Sequence, residues 1–170
     1  MKLEPEIMRT ILPKQPLSLA EVNQSVSLLR KKGQTLVTTN GCFDLLHAGH
    51  IRYLADAAAL GDMLVVGINS DASVARLKGS DRPIQNEIDR ALLIWSLKMV
   101  DYTFIFPEND PVEFLEVLKP DIHVKGGDYM PEQLPEKGIV EKHGGKIVIV
   151  PFTTGLSTTS IVEKIITSQS

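Results

Sequence analysis

Short β-branched or apolar runs alternate along this chain with longer amphipathic stretches, and that alternation constrains the fold more than any other feature. Thr35-Leu-Val-Thr-Thr39, Met63-Leu-Val-Val-Gly-Ile68, residues 102–106, Ile122-His-Val124 and residues 146–150 read as strands. Helical patterns fill the gaps at about 18–32, 47–60, from Asn69-Ser-Asp71 onward, and at 87–100, 111–118, 133–143 and 157–167. Ser18 with Glu21 three residues on forms a capping box, and Gly33 stops that first helix. Gly61 closes the second, and Pro111 opens the one after the strand at 102–106. The unbroken apolar run at 63–68 suits a strand covered on both faces. Strands separated by helices predict an α/β fold, a doubly wound parallel sheet with helices on both faces and right-handed crossovers. Trp95, Leu92 and Leu93 are expected on the core side of the 87–100 helix. Residues 1–17 carry Pro5, Pro13 and Pro16 without a sustained period, so an irregular leader is expected there and one domain over 18–170.

In such a sheet, ligands bind outside the carboxyl ends of the strands, near a switch in strand order. The unusual local sequences of this chain all fall just after strands. Asn40-Gly-Cys-Phe-Asp-Leu-Leu-His-Ala-Gly-His50 follows the first and Asn69-Ser-Asp71 the second. Lys125-Gly-Gly-Asp-Tyr129 follows the strand at 122–124, and Gly155-Leu-Ser-Thr-Thr-Ser160 comes shortly after the last. The topology therefore brings four scattered segments to one rim.

The net charge is −3, so no general field attracts nucleic acid or an anionic membrane, and an anionic ligand must be held by local groups. His47 and His50, three apart at a helix start, point to one side. Free backbone N–H groups and the helix dipole attract anions there. Gly41 and Gly49 are expected to let a phosphate approach the backbone, and two ring N–H donors complete a cradle. Ser157, Thr158 and Thr159 offer hydroxyls at a second helix start, beyond the single cap a helix requires. Lys125, Gly126, Gly127 and Asp128 can line a nucleoside pocket. Asp44 either fixes its turn by bonding backbone amides or touches the ligand. Arg76, Lys78, Arg82 and Arg90 supply basic groups. The segment 76–82 is expected to be a mobile loop that closes over a triphosphate, and Arg90 to be the one placed to reach inward.

Two histidines can also ligate zinc, but no third ligand stands at a matching position, so no metal site is expected. Cys42 lacks a clear orienting group for a base and is expected to be an ordinary reduced thiol. It is the only cysteine, which precludes an intrachain disulfide and fits a reducing compartment. No apolar run reaches the ~18 residues of a membrane span, and residues 1–14 lack a signal-peptide core. A cytoplasmic protein without membrane or nucleic-acid partners is expected. His123 and His143 read as an ordinary strand residue and a helix-end residue. Neither G-x-x-x-x-G-K-[ST] nor G-x-G-x-x-G occurs, which argues against P-loop and dinucleotide-binding classes.

The G-x-F-D…H-x-G-H turn at 41–50 and the late Ser-Thr-Thr helix start resemble the cytidylyltransferase-type nucleotidyltransferases, over about residues 34–166. Within that family, Thr39 to His50, Asn69-Ser-Asp-Ala-Ser73, Arg76-Leu-Lys-Gly79, Arg82-Pro83 and Val124 to Tyr129 are similar to the adenylyltransferase domain of ADP-heptose synthases. Related cytidylyltransferases often carry Arg and Glu where this chain has Thr153 and Thr154, and the heptose subgroup also tends to lack that arginine.

The resemblance implies a Rossmann-like sheet of the nucleotidyltransferase type. It also implies transfer of AMP from ATP, with Mg²⁺, to D-glycero-β-D-manno-heptose 1-phosphate, which gives ADP-heptose and pyrophosphate for lipopolysaccharide core synthesis. His47 and His50 would contact the triphosphate, and Ser157, Thr158 and Thr159 would hold its phosphates. Gly126, Gly127 and Asp128 would sit near the nucleoside, and Arg90 would assist on the phosphate side. Many ADP-heptose synthases fuse a sugar kinase ahead of this domain, so either a separate kinase is expected or this chain is a piece of such a fusion, and a homodimer is the family expectation. Physics alone leaves open ATP against CTP, glycerol 3-phosphate, a pantetheine phosphate or FMN as acceptor, and a non-catalytic nucleotide sensor.

Overall fold

The computed structural model describes residues 16–127, 130–151 and 157–168. Its elements run α1 (Leu19–Arg30), β1 (Leu36–Gly41), α2 (Ala48–Ala58), β2 (Met63–Asn69), α3 (Asp71–Lys78), α4 (Glu87–Trp95) and β3 (Tyr102–Phe106). They continue with α5 (Val112–Leu118), β4 (Ile122–Gly126), a 3₁₀ turn (Pro131–Gln133), α6 (Lys137–Lys142), β5 (Lys146–Val150) and α7 (Thr158–Thr167). Among the described residues the strands form one parallel sheet in the order β3-β2-β1-β4-β5. The order reverses between β1 and β4, whose Val37 and Ile122 are register partners. Leu17 bridges to Phe104 beside β3, so the chain already touches the sheet before α1 begins.

Successive side chains of a strand point to opposite faces, and this sheet buries both. Leu36, Val65 and Phe104 pack against Val22 and Val26 of α1 and Phe114 and Leu118 of α5. Val37, Leu64, Val66 and Val124 pack against Leu54 and Ala57 of α2 and Ala91 and Ile94 of α4. Each fully buried side chain of this kind contributes roughly 1.5–3 kcal/mol. The capping box forms as the sequence implies: Ser18 Oγ accepts from Glu21 N, and Glu21 Oε2 accepts from Ser18 N at 2.7 Å.

Two helices are shorter than their patterns suggest. The 87–100 pattern stops at Trp95, because the chain must turn back to the sheet. Asp101 seals that turn: its N–H bonds Leu64 O at 3.0 Å and its carboxylate accepts from Leu64 N at 2.8 Å. Trp95 and Leu92 are only half-buried and Leu93 is 38% exposed, so the core side of α4 is Ala91 and Ile94 instead. The 133–143 pattern splits around Pro135, which lacks an N–H and disfavours helical backbone at Leu134. A 3₁₀ turn and the short α6 result.

Candidate active site

β1 delivers Asn40 and Gly41 to the carboxyl edge of the sheet beside the switch in strand order. The next three residues form a tight, self-packed turn. Phe43 adopts a left-handed backbone, φ 47°, a conformation that costs a non-glycine residue roughly 1–2 kcal/mol. Its buried ring lies on Gly41, where an added Cβ would sit 2.9 Å from Phe43 Cε2. A side chain at Gly41 would thus press on a phenyl ring, and Gly41 itself lines the cavity. Asp44 is buried and accepts from Ile84 N at 2.6 Å, Gln85 N at 3.3 Å and Arg82 Nη1 at 2.7 Å. Burial would raise its carboxyl, but the Arg82 bond and the two backbone donors outweigh this and hold it below the ordinary value. Asp44 therefore fixes its own turn to the segment that precedes α4.

His47 occupies the N-cap of α2 with extended backbone, and its side chain makes no cap bond. The first N–H groups of a helix have no intrahelical partner, so the start of α2 keeps its amide donors uncapped by a side chain. His47 and His50 stack with ring centroids 3.8 Å apart and planes 20° apart, and Phe43 meets His50 edge-on at 5.1 Å. Burial, then the neighbouring His47 and Lys78, pushes His50 down to about 4; burial lowers His47 as well. Both rings are neutral at pH 7, and each donates one N–H. Among the described residues, the buried Nδ1 of each ring has no hydrogen-bond partner. The tautomer with hydrogen on Nε2 leaves only a lone pair orphaned there, which is cheaper than an orphaned N–H. It presents Nε2–H as the donor. Tyr53, one turn beyond His50, ties α2 to the sheet by donating to Val124 O at 3.0 Å and bonding the Thr39 hydroxyl.

The basic residues take places other than those expected. Arg90 is 0% exposed. Its guanidinium donates to Gln85 O at 2.9 Å, Asn69 O at 2.8 Å, Asp71 Oδ1 at 2.7 Å and the Cys42 carbonyl. It joins the ends of β1 and β2 to α3 and α4 and does not line the cavity, so the expectation that it faces a phosphate is corrected. Arg76 and Lys78 belong to the last turn of α3, and the segment 76–82 is not one loop. Arg76 bonds Asn109 at 2.8 Å, and Arg82 turns inward to Asp44. Lys78 alone of these reaches the cavity wall. Cys42 is a free, half-buried thiol whose pKa is raised by burial, so it stays protonated at neutral pH.

β4 delivers Lys125 and Gly126 opposite Asn40. Lys125 Nζ lies 2.7 Å from Glu136 Oε1 and donates to Asn40 Oδ1 at 3.2 Å. Gly127 is buried behind the rim with φ 131°, and its N–H bonds Val150 O at 3.0 Å. It serves a glycine-only turn and does not line the cavity. Asp128 and Tyr129 lie outside the described residues, as do residues 152–156. At α7, Ser157 Oγ accepts from Ser160 N at 3.0 Å, and Ser160 Oγ accepts from Ser157 N at 3.2 Å. His123 is fully buried and bonds Thr38 at 2.9 Å; His143 caps the end of α6. Among the described residues, no group of three or more His, Cys, Asp or Glu is placed to hold a metal ion, and no helix is long and apolar enough to cross a membrane.

These parts enclose a cavity of about 760 Å³. It is lined by the turn 40–44 and by His47, Gly49, His50 and Tyr53 at the start of α2. Asn69, Leu77, Lys78, Asn109, Lys125, Gly126 and Ser157 to Ser160 complete the lining. Tyr53, Leu77 and Asn109 were not singled out from the sequence. Tyr53 carried a usable signal, since it continues the i, i+3 face of His47 and His50.

A parallel sheet that presents an uncapped helix start, paired neutral imidazoles and a lysine to one cavity at its switch point defines a nucleotidyltransferase. The family model described as Cytidylyltransferase-like matches residues 38–167, and the chain belongs to that family. The chain is 50% identical over 145 residues to the bifunctional protein HldE of Trichlorobacter lovleyi, covering 85% of this chain and 30% of that protein. It is 52% identical over 136 residues to bifunctional protein HldE of Geotalea uraniireducens, covering 80% and 28%. The chain thus spans less than a third of the length of these curated relatives. A crystal structure described as the lipopolysaccharide core biosynthesis protein from Thermoplasma volcanium aligns with TM-score 0.58 and 35% identity, covering 71% of this chain and 98% of that one. Pantoate-beta-alanine ligase from Francisella tularensis, at 14% identity and TM-score 0.57, shares the fold.

Proposed function

We propose that this chain transfers AMP from ATP to D-glycero-β-D-manno-heptose 1-phosphate, releasing pyrophosphate and forming ADP-heptose for lipopolysaccharide core synthesis. The observation that carries this reading is the stacked, neutral His47–His50 pair at the uncapped start of α2 inside the cavity. The identity to the HldE proteins and the structure described as a lipopolysaccharide core biosynthesis protein support the acceptor.

A phosphate oxygen of the sugar attacks the α-phosphorus of ATP, and the bond from that phosphorus to the bridging oxygen of the β-phosphate breaks in line. The nucleophile is already ionised at neutral pH, so no general base is required. Catalysis then consists of positioning and of stabilising charge that builds on the α-phosphoryl oxygens and the leaving pyrophosphate. His47 and His50 donate to those oxygens, the first N–H groups of α2 add fixed partial positive charge, and Lys78 neutralises the tail. Thr158 and Thr159 offer hydroxyls from α7, and Gly126 lets the nucleoside approach the backbone. Mg²⁺ would accompany the triphosphate and help to neutralise its charge, while Asp44 is already occupied by three protein donors. A sugar kinase that supplies the 1-phosphate, a homodimeric assembly and a cytoplasmic setting belong to the same reading.

The test is pyrophosphate release from ATP or CTP with a panel of phosphorylated acceptors. The heptose 1-phosphate with ATP is expected to be the best pair by at least tenfold. Fastest release with glycerol 3-phosphate, a pantetheine phosphate or FMN would reassign the acceptor, and nucleotide binding without release under any acceptor would make the chain a sensor.

A further inference from the structure

Lys125 and Glu136 form an ion pair at the cavity wall. Glu136 is 1% exposed and sits at the N-cap of α6, eleven residues beyond its partner. Its Oε1 lies 2.7 Å from Lys125 Nζ and 4.0 Å from Nε2 of the buried His123. Burial, then the Lys125 charge, pushes His123 down to about 3, so that ring is neutral. Lys125 is therefore the one cation recorded against this carboxylate among the described residues. Its side chain is 19% exposed and lines the cavity, and its ammonium also donates to Asn40 Oδ1 at 3.2 Å. The lysine is thus stretched between the carboxyl ends of β4 and β1, across the switch in strand order.

A free lysine beside a nucleotide is a mobile point charge that favours phosphate. A lysine held between a buried carboxylate and the Asn40 amide oxygen differs in two ways: the ion pair has no net charge, and the ammonium is fixed in place. A neutral, directed donor attracts a polyanion weakly and suits an uncharged polar group. The cavity separates these tasks. Lys78 lies close enough to His50 to lower its pKa, and both line the cavity from the α2 and α3 ends, whereas Lys125 lines it from the end of β4 with its charge compensated by Glu136.

We propose that Glu136 is a positioning residue: it neutralises and aims Lys125 so that this side of the cavity reads the uncharged nucleoside of the donor nucleotide rather than its phosphates. The proposal rests on the nucleotidyltransfer reading above. Glu136 acts through Lys125 and touches no reacting atom.

The experiment is calorimetric titration of the parent chain, Glu136→Gln, Lys125→Met and the double variant K125M/E136M with adenosine and, separately, with pyrophosphate. Adenosine is uncharged, so the change of net charge in the single variants does not distort its affinity. Removing a directed ammonium donor is expected to weaken adenosine about tenfold in Lys125→Met. The same loss is expected in Glu136→Gln, where the ammonium is no longer held, and again in the double variant, with no further decrease. Pyrophosphate affinity of the double variant, whose charge sum is unchanged, is expected to stay within twofold of the parent. The double variant replaces a buried pair with apolar side chains of similar length, so it keeps the test alive if Glu136→Gln does not fold. Adenosine affinity that is unchanged in the double variant, or unchanged in a folded Glu136→Gln, overturns the proposal. Pyrophosphate affinity that falls in step with adenosine overturns it too, since Lys125 would then be a phosphate cation. A parent chain that releases pyrophosphate normally while giving any of these results leaves the nucleotidyltransfer reading standing. A parent chain that binds neither probe overturns both.

Discussion

Two helix starts face the same cavity, and they are built in opposite ways. α7 is capped by its own side chains: Ser157 Oγ accepts from Ser160 N, and Ser160 Oγ accepts from Ser157 N. α2 begins at His47 with no side-chain cap, and its imidazoles stack on each other and on Phe43 instead of folding back on the backbone. A cap is worth about 1 kcal/mol to a helix, so forgoing it at α2 leaves that stabilisation for whatever arrives. The difference teaches which start was shaped for a ligand and which for stability. It also explains why Arg82 and Arg90 turn away from the cavity. The turn before α2 lacks self-contained hydrogen bonding, and Arg82 on Asp44 and Arg90 on the Cys42 carbonyl hold it in place.

The comparison is broken most directly by removing the imidazoles. His50→Ala and His47→Ala are each expected to lower the single-turnover rate by roughly 10²–10³ while ATP affinity changes only severalfold. A variant with only a raised KM would move the histidines out of the transition state. Arg90→Ala is next in size, with about 3–5 kcal/mol of unfolding free energy lost in urea titrations. It strands Asp71 and three carbonyls that now share one guanidinium. Unchanged stability with weakened ATP binding would put Arg90 back on the phosphate side.

Acid separates the two histidine environments further. His123 is held at about 3 when folded against 6.5 in the open chain, so the unfolded state takes up the proton first. Stability is therefore complete above about pH 6.5 and is lost as pH falls towards 3, by about 2 kcal/mol at about pH 5. His50, held at about 4, adds a smaller loss in the same direction because it is partly exposed and screened. His123→Asn is expected to flatten most of the slope of urea-derived stability between pH 7 and 5, and a slope that survives in that variant would assign it elsewhere. Ser157→Ala gives the smallest effect: about 1 kcal/mol of stability, read as a lower Tm, with turnover reduced less than tenfold. A loss of turnover matching that of the histidine variants would erase the contrast between the two helix starts.

The fold was legible because its signals are local. Ser18 and Glu21 cap α1, and apolar runs mark β2, β3 and β5 to within a residue. The histidine pair and the segments gathered at the rim were legible for the same reason, since strand order alone brings them together. The direction of long polar side chains was not. Nothing in the sequence tells that Arg90 is buried under the Cys42 carbonyl, or that Arg82 reaches back 38 residues to Asp44. Those bonds depend on how α4 packs over β2 and β3. The second constraint on Gly41 was not legible, because the clash an added Cβ would meet comes from a ring two residues on in a left-handed turn. Glu136 went unnoticed, since a buried carboxylate in a charged, proline-broken stretch looks like any surface glutamate until Lys125 is placed beside it.

A crystal structure of the chain with a non-hydrolysable ATP analogue tests the central claim most directly. The triphosphate is expected against the first turn of α2, with its α- and β-phosphate oxygens within hydrogen-bond distance of His47 and His50 Nε2. A triphosphate seated instead on the self-capped start of α7, with both imidazoles free of it, would contradict the account.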